Sequence, residues 1–69
     1  MPTAIYDGTV LRRARETQGL SREQLAVQAG VTYPLIVRTE LYRPPRPETL
    51  ITLCRLLGIT VDDCFTENE

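Results

Sequence analysis

LSREQLAVQAGVTYPLIVRTE, residues 20 to 40, carries two helix starts and one helix stop. Ser21 stands three positions ahead of Gln24, so its hydroxyl can accept from the Gln24 amide while the Gln24 side chain reaches back, a capping box that opens a helix at Arg22. Leu20 and Leu25 flank that start as an apolar staple. Gly30 supplies the left-handed residue on which such a helix ends. Two residues later Thr32 caps a second helix, with Val31 and Ile36 as its staple pair. Pro34 then occupies the second helical position, where its missing N–H is one the helix leaves unbonded anyway, and Thr32 is left to cap the Leu35 amide.

The same grammar extends along the chain. Gly19 and Gly58 end two further periodic stretches, and Thr60 with Asp63, flanked by Ile59 and Cys64, repeats the start pattern. Helices are predicted over 9–18, 22–29, 33–41, 47–57 and 61–65. Val10, Leu11 and Ala14 face the core from the first, and Leu50, Leu53, Cys54 and Leu57 from the fourth at i, i+3, i+4, i+7 spacing. Phe65 closes the bottom. Residues 42 to 47, YRPPRP, form a stiff loop, with Pro47 suited to the first position of the fourth helix. No strand is expected, although Ala4 to Tyr6 can lie extended within an N-terminal arm, residues 1–7; residues 66–69 are read as an acidic tail. The expected fold class is all-α, a compact five-helix domain with a central helix-turn-helix, spanning 1–69 as a single domain.

Sixty-nine residues leave room for one core. Such a chain is marginally stable alone, so oligomerisation is expected to contribute. The net charge of -1 argues at face value against a polyanionic partner, but its distribution does not. All eight cations are arginines between Arg12 and Arg55, and between residues 1 and 58 they exceed the carboxylates by three. Asp62, Asp63, Glu67 and Glu69 crowd the end. A mildly basic body with an acidic tail can present a basic face. No apolar run approaches the roughly 20 residues needed to cross a bilayer, and no signal sequence opens the chain, so a cytoplasmic protein with no membrane partner is expected. Histidine is absent, and Cys54 and Cys64 alone cannot assemble a zinc site or a Cys-His nucleophile. They read as two buried apolar thiols, with a disulfide or redox switch as the alternative. With no metal constellation and no glycine-rich phosphate loop, no cofactor, no metal and no enzymatic activity are expected.

Two helices joined by Gly30-Val31-Thr32 have the spacing of a helix-turn-helix, whose second helix lies in the major groove of DNA. The flanks narrow this. The R-x-x-x-G-L-S run from Arg15, the L-A-x-x-A-G-V-T run from Leu25, Glu40 at the end of the third helix, and the later P-E-T-L and L-G-I-T-V-D-D stretches together resemble the Cro/C1-type helix-turn-helix family, also called the XRE family, over about residues 8 to 65. That resemblance implies a lambda-repressor-like domain that binds double-stranded operator DNA as a symmetric homodimer. It implies that Arg22 touches a phosphate or base, that Thr32, Tyr33, Pro34 and Arg38 face the groove, that Arg43 meets the backbone, and that Arg15 and Glu40 pair to tie the first helix to the end of the third. The chain departs from the pattern at Tyr42, where the family has glycine, at Thr39, where a large apolar residue is usual, and in a loop one residue shorter.

The chemistry of the third helix favours a small set of readers. The planar guanidinium of Arg38 can bond the O6 and N7 of guanine together, a contact worth about 1–3 kcal/mol of discrimination. Tyr33 either meets a base or phosphate or packs on the second helix, and the ring of Pro34 can rest on a thymine methyl. At 100° per residue Ile36 turns to the core, with Leu35 and Val37 on either side of it. Leu35 is placed near the groove, Val37 toward the fourth helix, and core or rim packing is the first reading for both. Arg22, Arg43 and Arg46, with help from Arg12 or Arg13, supply phosphate contacts. The expected protein is a small repressor or Cro-like regulator on a palindromic operator, ending too soon after its fifth helix to carry a sensing domain, with Leu41 to Pro47 and the tail around Phe65 as its dimer surface. The rival is a helix-turn-helix used mainly for protein contact, as an antitoxin or docking partner, favoured by the apolar Leu35, Val37, Leu41 and Tyr42.

Overall fold

In the computed structural model, which describes residues 3 to 68, the chain runs β1 (Thr3–Tyr6), α1 (Thr9–Thr17), α2 (Arg22–Ala29), α3 (Tyr33–Leu41), α4 (Pro47–Leu57), a 3-10 turn (Asp62–Cys64) and β2 (Phe65–Asn68). Among the described residues there are four α-helices, not five, and a small two-stranded sheet pairs β1 with β2. Their boundaries follow the caps. Ser21 Oγ accepts from the Gln24 amide at 3.0 Å while Gln24 Oε1 accepts from the Ser21 amide at 2.8 Å. The Thr32 hydroxyl accepts from Leu35 N at 3.3 Å, passing over Pro34. Gly30 and Gly58 take left-handed conformations at φ 70° and 71°, where a side chain would be strained.

The core is built from Leu11 of α1, Leu25 and Ala26 of α2, Ile36 of α3, Leu50, Leu53, Cys54 and Leu57 of α4, and Cys64. Val10, Ala14 and Phe65 pack on its margin, half-buried. Cys54 and Cys64 are free thiols with their sulfurs 3.8 Å apart. Burial pushes both thiols up, that of Cys64 to about 12, so at neutral pH they are protonated packing groups.

The expected fifth helix and the all-α class are corrected together. Thr60 and Asp63 do cap one another, the Asp63 amide donating to Thr60 Oγ1 at 3.2 Å and the Thr60 amide to Asp63 Oδ2 at 3.0 Å. The turn then tightens, with Cys64 N bonding Val61 O at 3.0 Å, and Phe65 leaves it in an extended conformation. Phe65 is opposite Tyr6 in an antiparallel ladder that pairs Ala4 with Glu67 and Ile5 with Thr66, and the two rings meet edge to face at 5.5 Å. An aromatic cross-strand pair stabilises a sheet by up to about 1 kcal/mol, enough to end a one-turn helix. The residues read as an N-terminal arm and an acidic tail are therefore the two strands, as far as they fall within the described residues; Met1, Pro2 and Glu69 lie outside them.

Two features of β1 and its exit hold the sheet on α3. The Tyr6 hydroxyl donates to the Thr39 carbonyl at 2.7 Å, and burial, followed by the neighbouring Cys64, Cys54 and Glu40, pushes its pKa up, which keeps the donor proton in place. Gly8 then passes so close to the end of α3 that a Cβ on it would overlap the carbonyl oxygens of Thr39 and Glu40. Its φ of -69° suits any residue, so the glycine is required by space and not by conformation. Gly8→Ala is expected to lower stability by about 1–3 kcal/mol, the usual cost of overpacking against atoms that cannot yield. A thermal melt showing no loss would mean that β1 and α1 lift away from α3 at little cost.

Candidate nucleic-acid interface

Glu40 is the centre of the site's scaffold. Its side chain is 1% exposed at the C-terminal end of α3, where the helix dipole disfavours a carboxylate. Two arginines compensate. Arg15 of α1 donates from Nε to Glu40 Oε2 at 2.7 Å and from a terminal nitrogen to Oε1 at 3.2 Å, while its other terminal nitrogen donates to the Leu20 carbonyl at 2.8 Å. Arg22 of α2 donates from Nε to Glu40 Oε1 at 3.0 Å. One carboxylate thus ties α1, α2, α3 and the turn between α1 and α2 into a single body. No buried side-chain nitrogen or oxygen among the described residues lacks a partner.

Arg22 is engaged more deeply than its position at the start of α2 implies. Glu40 and then the Tyr33 side chain beside it raise its already high pKa. With Nε committed to Glu40, its terminal nitrogens are what remain for any other contact. This double engagement was not readable from the sequence, because Arg22 and Glu40 are brought together only by the crossing of α2 and α3.

On the outer side of α3, Arg38 is exposed and stands between two hollows. One, of about 270 Å³, is bounded by Leu35, Arg38 and Thr39 of α3, by Arg43, Pro44, Pro45 and Arg46 of the loop, and by Thr49 of α4. The other, of about 400 Å³, is shallower and lined by Tyr33, Pro34, Val37, Arg38 and Tyr42. Leu35 is half-buried, packs against the core and forms the apolar wall of the first hollow; Val37 lies in the second. Leu35 thus has the core or rim packing read for it and still borders the hollow of Arg38, Arg43 and Arg46, whereas Val37, expected toward α4, lines the hollow of Tyr33, Pro34 and Tyr42. Pro44 and Pro45 of the stiff loop border the hollow on the Leu35 side of α3, and Tyr42 borders the one that holds the half-buried Val37.

Arg38, Arg43 and Arg46 surround the first hollow, and all three are exposed. Thr32, Tyr33 and Pro34 are exposed at the start of α3. Of the site residues read from the sequence, Leu35, Arg38, Arg43 and Arg46 border the first hollow and Tyr33, Pro34 and Arg38 the second, while Arg15 and Glu40 are buried and Arg22 pairs with Glu40. Arg12 and Arg13 are elsewhere: Arg12 pairs with Glu16 at 3.6 Å, and Arg13 flanks a separate hollow with Leu57 and Ile59. The missing glycine after α3 has a simple consequence. Tyr42 ends the helix at φ -128°, and the amides of both Tyr42 and Arg43 bond the Arg38 carbonyl, at 2.8 and 3.2 Å.

No helix among the described residues is long and apolar enough to cross a membrane. No curated protein matches the chain by sequence. Among solved structures, the chain is similar to that of the master regulator for biofilm formation SinR in complex with DNA, at 26% identity and a TM-score of 0.71, covering 80% of this chain and 90% of that one. The model of the family described as "Helix-turn-helix domain" matches residues 8–64. With capped α2 and α3 joined by the Gly30 turn and the Arg15–Glu40–Arg22 cluster beneath them, the chain belongs to the helix-turn-helix domain family as a Cro/C1-type member.

Proposed function

We propose that the protein is a sequence-specific DNA-binding transcriptional regulator, a small cytoplasmic repressor or Cro-like protein that binds a palindromic operator as a homodimer with α3 in the major groove. The observation that carries this reading is the position of Arg38, exposed between two hollows on the outer side of α3 with Arg43 and Arg46 across one of them. The likeness to a regulator solved in complex with DNA supports it. Arg38 reads a guanine edge, Tyr33, Pro34 and Val37 offer apolar contact to thymine methyls, and Thr32 caps α3 beside the backbone. Leu35 shapes the wall against which the loop arginines stand. Arg43, Arg46 and the terminal nitrogens of Arg22 meet phosphates, setting the register of the helix on the duplex. A pair of copies is needed because one short helix reads few bases; two-fold partners span half-sites about 34 Å apart.

Arg38→Ala tests the reading. Sites are first selected from a random duplex pool, and binding to the selected site and to single-base variants is followed by fluorescence anisotropy. The variant is expected to lose about 5- to 150-fold in affinity per half-site, corresponding to about 1–3 kcal/mol for each contact, and to become indifferent to one base pair in each half-site. Equal weakening on every sequence would make Arg38 a phosphate contact instead.

A second reading, a helix-turn-helix that docks a protein, draws on Leu41 and Tyr42, which are 51% and 75% exposed at the end of α3. Under it, Arg38→Ala leaves partner binding unchanged, whereas Tyr42→Ala weakens it.

A further inference from the structure

We propose that the outer edge of β1 is a self-association edge, on which β1 of a second copy lies antiparallel so that the two small sheets join into one of four strands. Among the described residues the sheet of one chain has two strands, and β1 pairs there with β2. The phase of the ladder shows which backbone groups remain. Asp7 N donates to Cys64 O at 2.7 Å, one step beyond the Tyr6–Phe65 pair. Bonded and non-bonded pairs alternate along an antiparallel ladder, so Ile5 turns its N–H and C=O to Thr66, while Ala4 and Tyr6 turn theirs outward. A two-fold axis at Ile5 satisfies all of them. Ala4 of each copy then exchanges hydrogen bonds with Tyr6 of the other, and the two Ile5 residues meet as a non-bonded pair, the kind in which side chains are closest.

Side-chain chemistry selects the same edge and the same occupant. Along the strand Ile5 lies on the sheet face opposite Tyr6, and at 46% exposed it is an apolar side chain that a single copy leaves uncovered. On the axis, each Ile5 is covered by the other. Natural sheet edges that must stay single carry charge or proline. The four residues of β1 carry neither, though Pro2 precedes and Asp7 follows them in sequence, whereas β2 holds Glu67 within the strand itself. Two β2 strands would bring Glu67 carboxylates onto one edge. Pairing β1 on β2 would be a head-to-tail contact that need not close, and would leave Ile5 without its twin. Of the dimer surface expected from the sequence, this sets aside Leu41 to Pro47 and keeps to the small sheet that holds Phe65. It takes from the regulator reading only that two copies act together, and because its test contains no DNA, either can fail without the other.

The test is sedimentation velocity of the full chain without DNA from about 10 μM to about 1 mM, a range suited to an interface this small. A monomer–dimer equilibrium is expected, with Ile5→Lys raising the dissociation constant tenfold or more while the thermal melt of the diluted monomer stays unchanged. In Ile5→Cys, the paired positions are about 4.5–5.5 Å apart in Cα, close enough for a disulfide, so a glutathione redox buffer should give a covalent dimer that the wild type, with both thiols buried, does not. A monomer throughout the range overturns the proposal. So does a dimer that Ile5→Lys leaves intact, which would assign self-association to another face, and so does an Ile5→Cys variant that stays uncrosslinked where the wild type dimerises.

Discussion

Glu40→Ala is expected to remove about 3–5 kcal/mol of stability, the cost of leaving a buried charge without its partner. The substitution deletes a carboxylate whose side chain is 1% exposed and strands the Arg15 guanidinium, itself 9% exposed, with the Leu20 carbonyl as its remaining partner. A domain of this length has about 3–10 kcal/mol in total, so the loss is a large share of it. The melting temperature should fall by at least about 12 °C. Arg22→Ala makes the informative comparison. Its side chain is 29% exposed and contributes one bond to a carboxylate that Arg15 still holds at both oxygens, so about 1 kcal/mol is expected. If circular dichroism melts placed the two variants within a few degrees of each other, Glu40 would not be the tie between the three helices. The cluster also links stability to the proposed interface, since Glu40 at the end of α3 is held by Arg22, which the proposal counts among the phosphate contacts.

Affinity for the selected duplex should fall about 10³-fold or more between about 50 and about 200 mM salt. Arg43 and Arg46 are exposed beside the first hollow, and Arg22 keeps its terminal nitrogens, so the proposed interface counts about three phosphate contacts per copy and six for the proposed pair. Each phosphate adds about 0.9 to the slope of log affinity against log salt. Arg12 and Arg13 are not counted, being engaged with Glu16 or placed by Leu57 and Ile59. Arg46→Ala should reduce the slope by about two in a dimer, one per copy, and weaken all sequences alike, unlike Arg38→Ala. The net charge of -1 makes this a demanding test, because long-range attraction is weak and contact must come from the local face. A flat salt profile would sink the reading of α3 as a DNA element and leave protein docking in its place.

The sequence by itself determined whatever is decided within one turn of the chain. Ser21 with Gln24, Thr32 with Leu35, and the glycines at 30 and 58 set the limits of α2, α3 and α4 because each cap is a contact between residues three or four apart. The fit of Pro34 to the first turn was legible for the same reason. Across the chain, the reading failed wherever two equally local solutions were settled by a distant partner. Thr60 and Asp63 cap a turn that was free to become a helix until Tyr6, from the other end of the chain, drew Phe65 into a strand. Four-residue strands are too short to show alternation, so nothing in TAIY or FTEN announces a sheet. No local motif singles out Gly8, and only the carbonyls of Thr39 and Glu40 give it a reason. Leu35 and Val37 flank Ile36 symmetrically on a helical wheel, and only the packed chain puts Leu35 in a hollow with the Pro44-Pro45 loop and Thr49 and the half-buried Val37 in another with Tyr33 and Tyr42. Local hydrogen bonding is written in neighbouring residues; the choice between two sides of a helix, or between a turn and a strand, is made by which surfaces the packed chain brings together and removes from water.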